Sequence, residues 1–225
     1  MPSSSYQRLI SEIHFLFEDF ADNNPQLALR GYVGALWSKL DAAGYFHEKC
    51  QEIVRRLPEV ICKEEQLEEG PLSINESLVA EAQTYLECFF YFTTSALDIL
   101  AKLVREFYPK NKGTIGKRYF KQTIDFFTTI DTKLDPSFTR ILSANQNWIL
   151  NIYHNRDAWA HADAAFILFA DEEGSVVFDH KGREGSSLKG LPAYLDGVIT
   201  HLEDFLSLIL VHFRAIISEP NTKNC

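Results

Sequence analysis

Tyr153-His-Asn-Arg-Asp-Ala-Trp-Ala-His-Ala-Asp163, followed after Ala164 by Ala165-Phe-Ile-Leu-Phe-Ala170, is where the chain changes its periodicity. Upstream, Trp148, Ile152 and Trp159 recur at helical spacing, on a helix that Asp135-Pro136 opens and that runs to about Ala162. Downstream, Ala165–Ala170 and Ser175-Val-Val-Phe-Asp179 are rich in strand formers and are separated by Asp-Glu-Glu-Gly. That pattern predicts a β-hairpin with a four-residue loop. A lone hairpin is marginal in water, so it is expected to pack on helices. After a polar, Gly-rich stretch at 180–189, a last helix over 191–218 keeps Leu195, Ile199, Leu202, Phe205, Ile209, Phe213 and Ile216 on one broad face.

Upstream of this junction the rest of the chain reads as helix. Leu9, Ile13, Leu16, Phe17 and Phe20 mark a helix over 5–20. Asn24 with Pro25 is expected to cap a second, carrying Leu29, Val33, Leu36, Trp37 and Leu40 and stopping near Gly44. A third, over 46–69, contains Pro58, where a kink or break is expected. Ser73-Ile-Asn-Glu76 is a capping box for a helix from 74 to about 107, which would span roughly 50 Å. Its stripe includes Leu78, Tyr85, Phe89, Phe92, Ala96, Ile99 and Leu103, and Thr93-Thr94-Ser95 is a candidate bend. A loop at 110–116 and a helix over 117–131 complete the series. The fold expected is a mainly α helical bundle with one β-hairpin inserted before the last helix.

Composition agrees. The chain has 225 residues, 46% of them apolar and 24% charged, which suits one globular domain and excludes disorder. With 11 Gly and 8 Pro it lacks the tight turns of an all-β protein. Cys50, Cys62, Cys88 and Cys225 form no C-x-x-C pair and read as three small core side chains and a tail residue. Residues 1–20 lack the basic start and apolar stretch of a signal peptide, and no run reaches the ~18 apolar residues of a membrane span. A cytoplasmic location and no membrane association are the expectation.

The 153–163 segment also concentrates reactive side chains. His154, Asp157 and His161 share one helix stripe, whereas Arg156 lies between Ile152 and Trp159 on the apolar one. A guanidinium there must run along the core edge or into an interface. His161 titrates near neutrality and can move a proton. Asp157, one turn before it, would hold its ring, and Arg156 offers a planar fork of donors to phosphate oxygens. Because RNA carries its own 2′-hydroxyl nucleophile, such a set needs no metal. One histidine cannot easily be both base and acid, so His154 or a second chain would supply the other role. The plain alternative is a solvated or salt-bridged helix end.

The R-D-x-x-x-H run from Arg156 to His161 resembles the signature of HEPN domains. The long upstream helix with Ser95-Ala-Leu-Asp98-Ile-Leu is similar to earlier helices of that superfamily. The resemblance covers about residues 72–218. It divides the chain into an N-terminal helical extension, 1–71, packed on a HEPN-like helical domain, 72–219. It implies a homodimer in which paired Arg and His residues form one cleft, and metal-independent RNA cleavage in a toxin–antitoxin or defence setting. Arg156, Asp157 and His161 take the family positions. Some relatives keep the fold without cleaving RNA and bind a nucleotide or a partner, for instance an antitoxin or a nucleotidyltransferase.

A second candidate is Lys110-Asn-Lys-Gly-Thr-Ile-Gly-Lys-Arg-Tyr-Phe-Lys121, in which Lys110, Lys112, Lys117, Arg118 and Lys121 occur with aromatics and without an acid. It reads as an RNA-phosphate patch, or as a solvated loop and helix start. Gly116-Lys117 is not a P-loop, because the full pattern and its preceding strand are missing. No metal site or cofactor is expected: His161/Asp163 and Asp179/His180 are pairs without a third ligand. The net charge of −9, with acids massed at 59–81, excludes a protein that coats nucleic acid. It leaves room for one that grips a few phosphates in a cleft.

Overall fold

A computed structural model of the chain describes residues 4–24, 29–64, 76–116, 118–160, 166–170, 176–180, 188–189 and 191–218. The protein is mainly α. Its helices are α1 (Ser4–Asn23), α2 (Arg30–Glu64), α3 (Glu76–Phe107), α4 (Phe120–Asp125), α5 (Pro136–Ala160) and α6 (Leu191–Ser218). A 3-10 turn, Pro109–Asn111, precedes α4, and a π-turn, Phe126–Ile130, continues it.

Local chemistry explains most boundaries. The Oδ1 of Asp135 accepts the Phe138 backbone N–H at 2.8 Å, so an N-cap aspartate with proline behind it starts α5. Helix α2 begins at Arg30, and Pro25, expected as its first residue, lies outside the described residues; Asn24 belongs to the end of α1. Its side-chain amide donates back to the Phe20 carbonyl at 2.9 Å and closes α1. The expected stop at Gly44 is also absent, since α2 runs on as one helix of 35 residues that includes Pro58. Gly44 is buried, and among the described residues α2 packs along α3 more extensively than any other pair of elements. Packing of that extent outweighs the ~1 kcal/mol that glycine costs inside a helix. The capping serine Ser73 lies outside the described residues. On α3, Thr93 and Thr94 are buried and donate their hydroxyls to the Phe89 and Phe90 carbonyls, so both are satisfied within the helix.

The core runs through the whole bundle. Tyr6, Ile10 and Phe17 of α1 and Val33, Leu36 and Leu40 of α2 join one buried cluster with Leu97 and Leu100 of α3, Phe138 and Ile149 of α5 and Phe205 and Phe213 of α6. Tyr6 donates to the Leu40 carbonyl at 2.8 Å, which satisfies a wholly buried hydroxyl and ties α1 to α2. Trp37, expected on the core face, is 42% exposed. The stripe of α2 steps Val33, Leu36, Leu40, Ala43, and Trp37 lies at its edge, about 40° beyond Val33 and about 100° round from Leu36. Cys50 is buried, and burial pushes its thiol up to about 12; Cys88 is half-buried, and both thiols are free.

Before α6, strands β1 (Phe166–Ala170) and β2 (Val176–His180) pair antiparallel, with Leu168 opposite Phe178, and β3 (Leu188–Lys189) pairs with β2. The four-residue loop expected between β1 and β2 lies outside the described residues. Among the described residues, no helix is long and apolar enough to cross a membrane.

Candidate functional site

The C-terminal half of α5 carries the site. Ile149, Ile152 and Tyr153 face the core and Trp148 is partly buried beside them, while the Trp159 side chain lies outside the described residues. Arg156 follows at the core edge with its side chain one quarter exposed. Its Nε and Nη2 donate to Asp157 Oδ1 at 3.0 and 2.6 Å, and its Cζ lies 5.3 Å from the centre of the Tyr153 ring. Burial would lower the guanidinium's pKa, but Asp157, with Asp98 and Tyr153, outweighs it and the net shift is upward. Arg156 is therefore a held cation, fixed by a carboxylate and an aromatic face. His154 is exposed, and His161 lies outside the described residues.

Behind Arg156 sits a polar knot that the residue pattern does not reveal. The Tyr153 hydroxyl donates to Asp98 Oδ1 on α3. The backbone N–H of Phe120, at the start of α4, reaches the same oxygen at 2.9 Å and the Tyr153 hydroxyl oxygen at 3.2 Å. Burial raises the Asp98 pKa, and the Tyr153, Phe120 and Arg156 interactions oppose that rise in part. Three helices are thus tied together one turn before Arg156. Asp98 is visible in the sequence as a lone acid between Leu97 and Ile99, but its partners come from residues 22 and 55 positions away.

The basic segment divides. Lys112 is engaged within the fold, because its Nζ donates to Glu106 Oε2 at 2.7 Å and Glu106 is buried, although its side chain stays partly exposed. The Lys112 carbonyl in turn accepts from Arg105 Nη2 at 3.1 Å, which clamps the loop to α3. Lys117 lies outside the described residues. Lys110, Arg118 and Lys121 are exposed, and Lys121 Nζ lies 5.5 Å from the centre of the Tyr119 ring. Arg118 and Lys121 lie within two residues of Phe120, whose N–H is bonded to Tyr153 and Asp98. The same knot therefore anchors the start of α4, with its two cations, and the turn of α5 that leads to Arg156.

Helix α4 starts at Phe120 rather than 117, since Tyr119 is extended (φ −120°, ψ 142°). Between the loop and α4 opens a cavity of about 580 Å³ lined by residues that include Thr114, Gly116, Arg118, Gln122, Asp125 and Ile130. Among the described residues, no group of three His, Cys, Asp or Glu side chains is placed to hold a metal ion. No protein-family model, no curated protein and no solved structure matches this chain.

Proposed function

We propose that the protein is a metal-independent endoribonuclease of the HEPN type that works as a homodimer. The observation that carries the reading is the anchoring of Arg156: a cation held by Asp157 and Tyr153, five residues before a histidine, on the helix that the Asp98 knot joins to the Arg118–Lys121 segment. In the reaction, His161 takes the proton of an RNA 2′-hydroxyl, whose oxygen attacks the adjacent phosphorus. The 5′-oxygen leaves with a proton from His154 or from the second protomer's copy of His161, giving a 2′,3′-cyclic phosphate and a 5′-hydroxyl end. Arg156 stabilises the charge that builds on the phosphoryl oxygens. Both Arg156 bonds fall on Asp157 Oδ1, so Oδ2 is the oxygen Asp157 offers to His161. Control by an antitoxin or a nucleotidyltransferase partner, in a toxin or defence role in the cytoplasm, belongs to the same proposal.

Cleavage of a mixed RNA pool in EDTA tests it. Arg156→Ala and His161→Ala each lower the rate roughly a hundredfold or more, with unchanged circular dichroism. Arg156→Lys does not restore it, because a point charge replaces a planar fork. Wild-type protein that cuts no RNA, alone or with its partners, overturns the reading. A second reading, a non-catalytic HEPN-like protein that binds a nucleotide or a partner, is favoured by one fact: Arg156 already has a carboxylate partner. In that case Arg156→Ala lowers stability or dimerisation and no nuclease activity exists to lose.

A further inference from the structure

The cavity beside α4 holds chemistry that phosphate contact does not explain. Gln122 and Asp125 both line it and stand three residues apart on α4, so they are neighbours on its surface. The Gln122 Oε1 accepts the backbone N–H groups of Arg118 at 3.2 Å and Tyr119 at 3.5 Å. Its oxygen is committed to the chain, and its NH2 is the group it can offer a ligand. Asp125 is exposed and offers two carboxylate acceptors. Ile130, 71% exposed, adds an apolar side chain to a lining that is part polar and part apolar. Gly116 packs directly on Gln122, so that a Cβ there would lie 2.1 Å from the Gln122 Cβ, and the lining continues on either side of this contact. Arg118 completes the lining with a guanidinium.

A donor beside a two-oxygen acceptor complements an edge that carries one acceptor beside two N–H donors. Guanine alone among the four RNA bases has that edge, as O6, N1–H and the 2-amino group. Adenine and cytosine would turn a ring-nitrogen lone pair toward the carboxylate, and uracil has a single N–H between two carbonyls. The volume is in the range that takes a small-molecule ligand of nucleotide size.

We propose that this cavity is a guanine-reading subsite for single-stranded RNA. Asp125 accepts from N1–H and the 2-amino group, Gln122 donates to O6, Ile130 packs on the face of the base, and Arg118 meets the phosphate of the same nucleotide. The assignment of the ligand to RNA rests on the nuclease reading above; recognition of the base itself does not. Phe120 ties the start of α4 to Tyr153, three residues before Arg156, so on the nuclease reading cleavage is expected at bonds near guanosine.

The test uses the full chain. Arg156→Ala protein, in which cleavage is expected to be slowed, is titrated by fluorescence anisotropy with a labelled uridine octamer and with the same octamer carrying one central guanosine. Wild-type protein is titrated by calorimetry with GMP, AMP, CMP and UMP. The guanosine octamer should bind about tenfold more tightly, GMP should bind best of the four, and Asp125→Asn should bring both preferences below about twofold with circular dichroism unchanged. Equal binding of the four nucleotides, no binding of GMP, or a preference that survives Asp125→Asn overturns the subsite. A guanine preference in a wild-type protein that cuts no RNA supports the subsite and removes the nuclease reading, so the two fail separately.

Discussion

Asp135 shows how much one side chain can carry. It caps α5 through Phe138, accepts the Tyr108 hydroxyl at 2.6 Å and lies 3.1 Å from His212 Nε2. Burial alone would raise its pKa, but the His212, Phe138 and Tyr108 contacts together hold it at about 2. A carboxylate depressed in the folded state stabilises above its unfolded value of about 3.9, and that stabilisation is lost as pH falls toward 2. Urea melts between about pH 5 and 2 should therefore show an acid limb that Asp135→Ala flattens. The same substitution removes the cap and should cost about 0.5–2 kcal/mol at neutral pH. Arg156 and Asp98 carry a different lesson. Their residue types are plain in the chain, but the carboxylate that Arg156 meets is its immediate neighbour, and Asp98 is bonded across three elements.

Among the elements, α4 depends most on its surroundings. It has six residues, too few for an isolated helix, and it is held by the Phe120 bonds to α3 and α5 and by the buried Phe120, Thr123 and Ile124. The loop before it closes on Gln122 through Gly116. Gly116→Ala should force these two segments apart and lower stability by about 1–3 kcal/mol, read as a shift in the urea midpoint. Sequence pattern located the long helices because their apolar stripes are continuous. It placed the start of α4 three residues early, since the residue that begins the helix is chosen by a tertiary bond to Asp98. It also ended a helix at Gly44, where burial against α3 decides otherwise.

For the whole molecule, the shared core is the controlling fact. Phe205 of α6 is fully buried with its ring centre 5.7 Å from that of Phe120 and 5.9 Å from that of Trp148, so it joins α4, α5 and α6. Phe205→Ala should cost about 3–5 kcal/mol, measured by chemical denaturation. Since α1 and α2 bury Phe17, Val33 and Leu36 in the same cluster as Leu100 and Phe213, a fragment of residues 72–218 would expose apolar surface that they cover. That fragment should bind ANS and lose cooperative thermal unfolding, whereas the full chain unfolds in one transition.

The mainly α class, the long helices and the positions of the basic and Arg–Asp segments follow from the order of residues alone. They depend on periodicity and on caps such as Asp135-Pro136, which act within a few residues. Packing was needed to turn Lys112 to Glu106, to leave Trp37 facing out, and to join the basic segment to the helix of Arg156 through Asp98, Tyr153 and Phe120. Those outcomes link residues six to 55 positions apart, and a linear pattern leaves open several partners at such separations until the folded chain selects one.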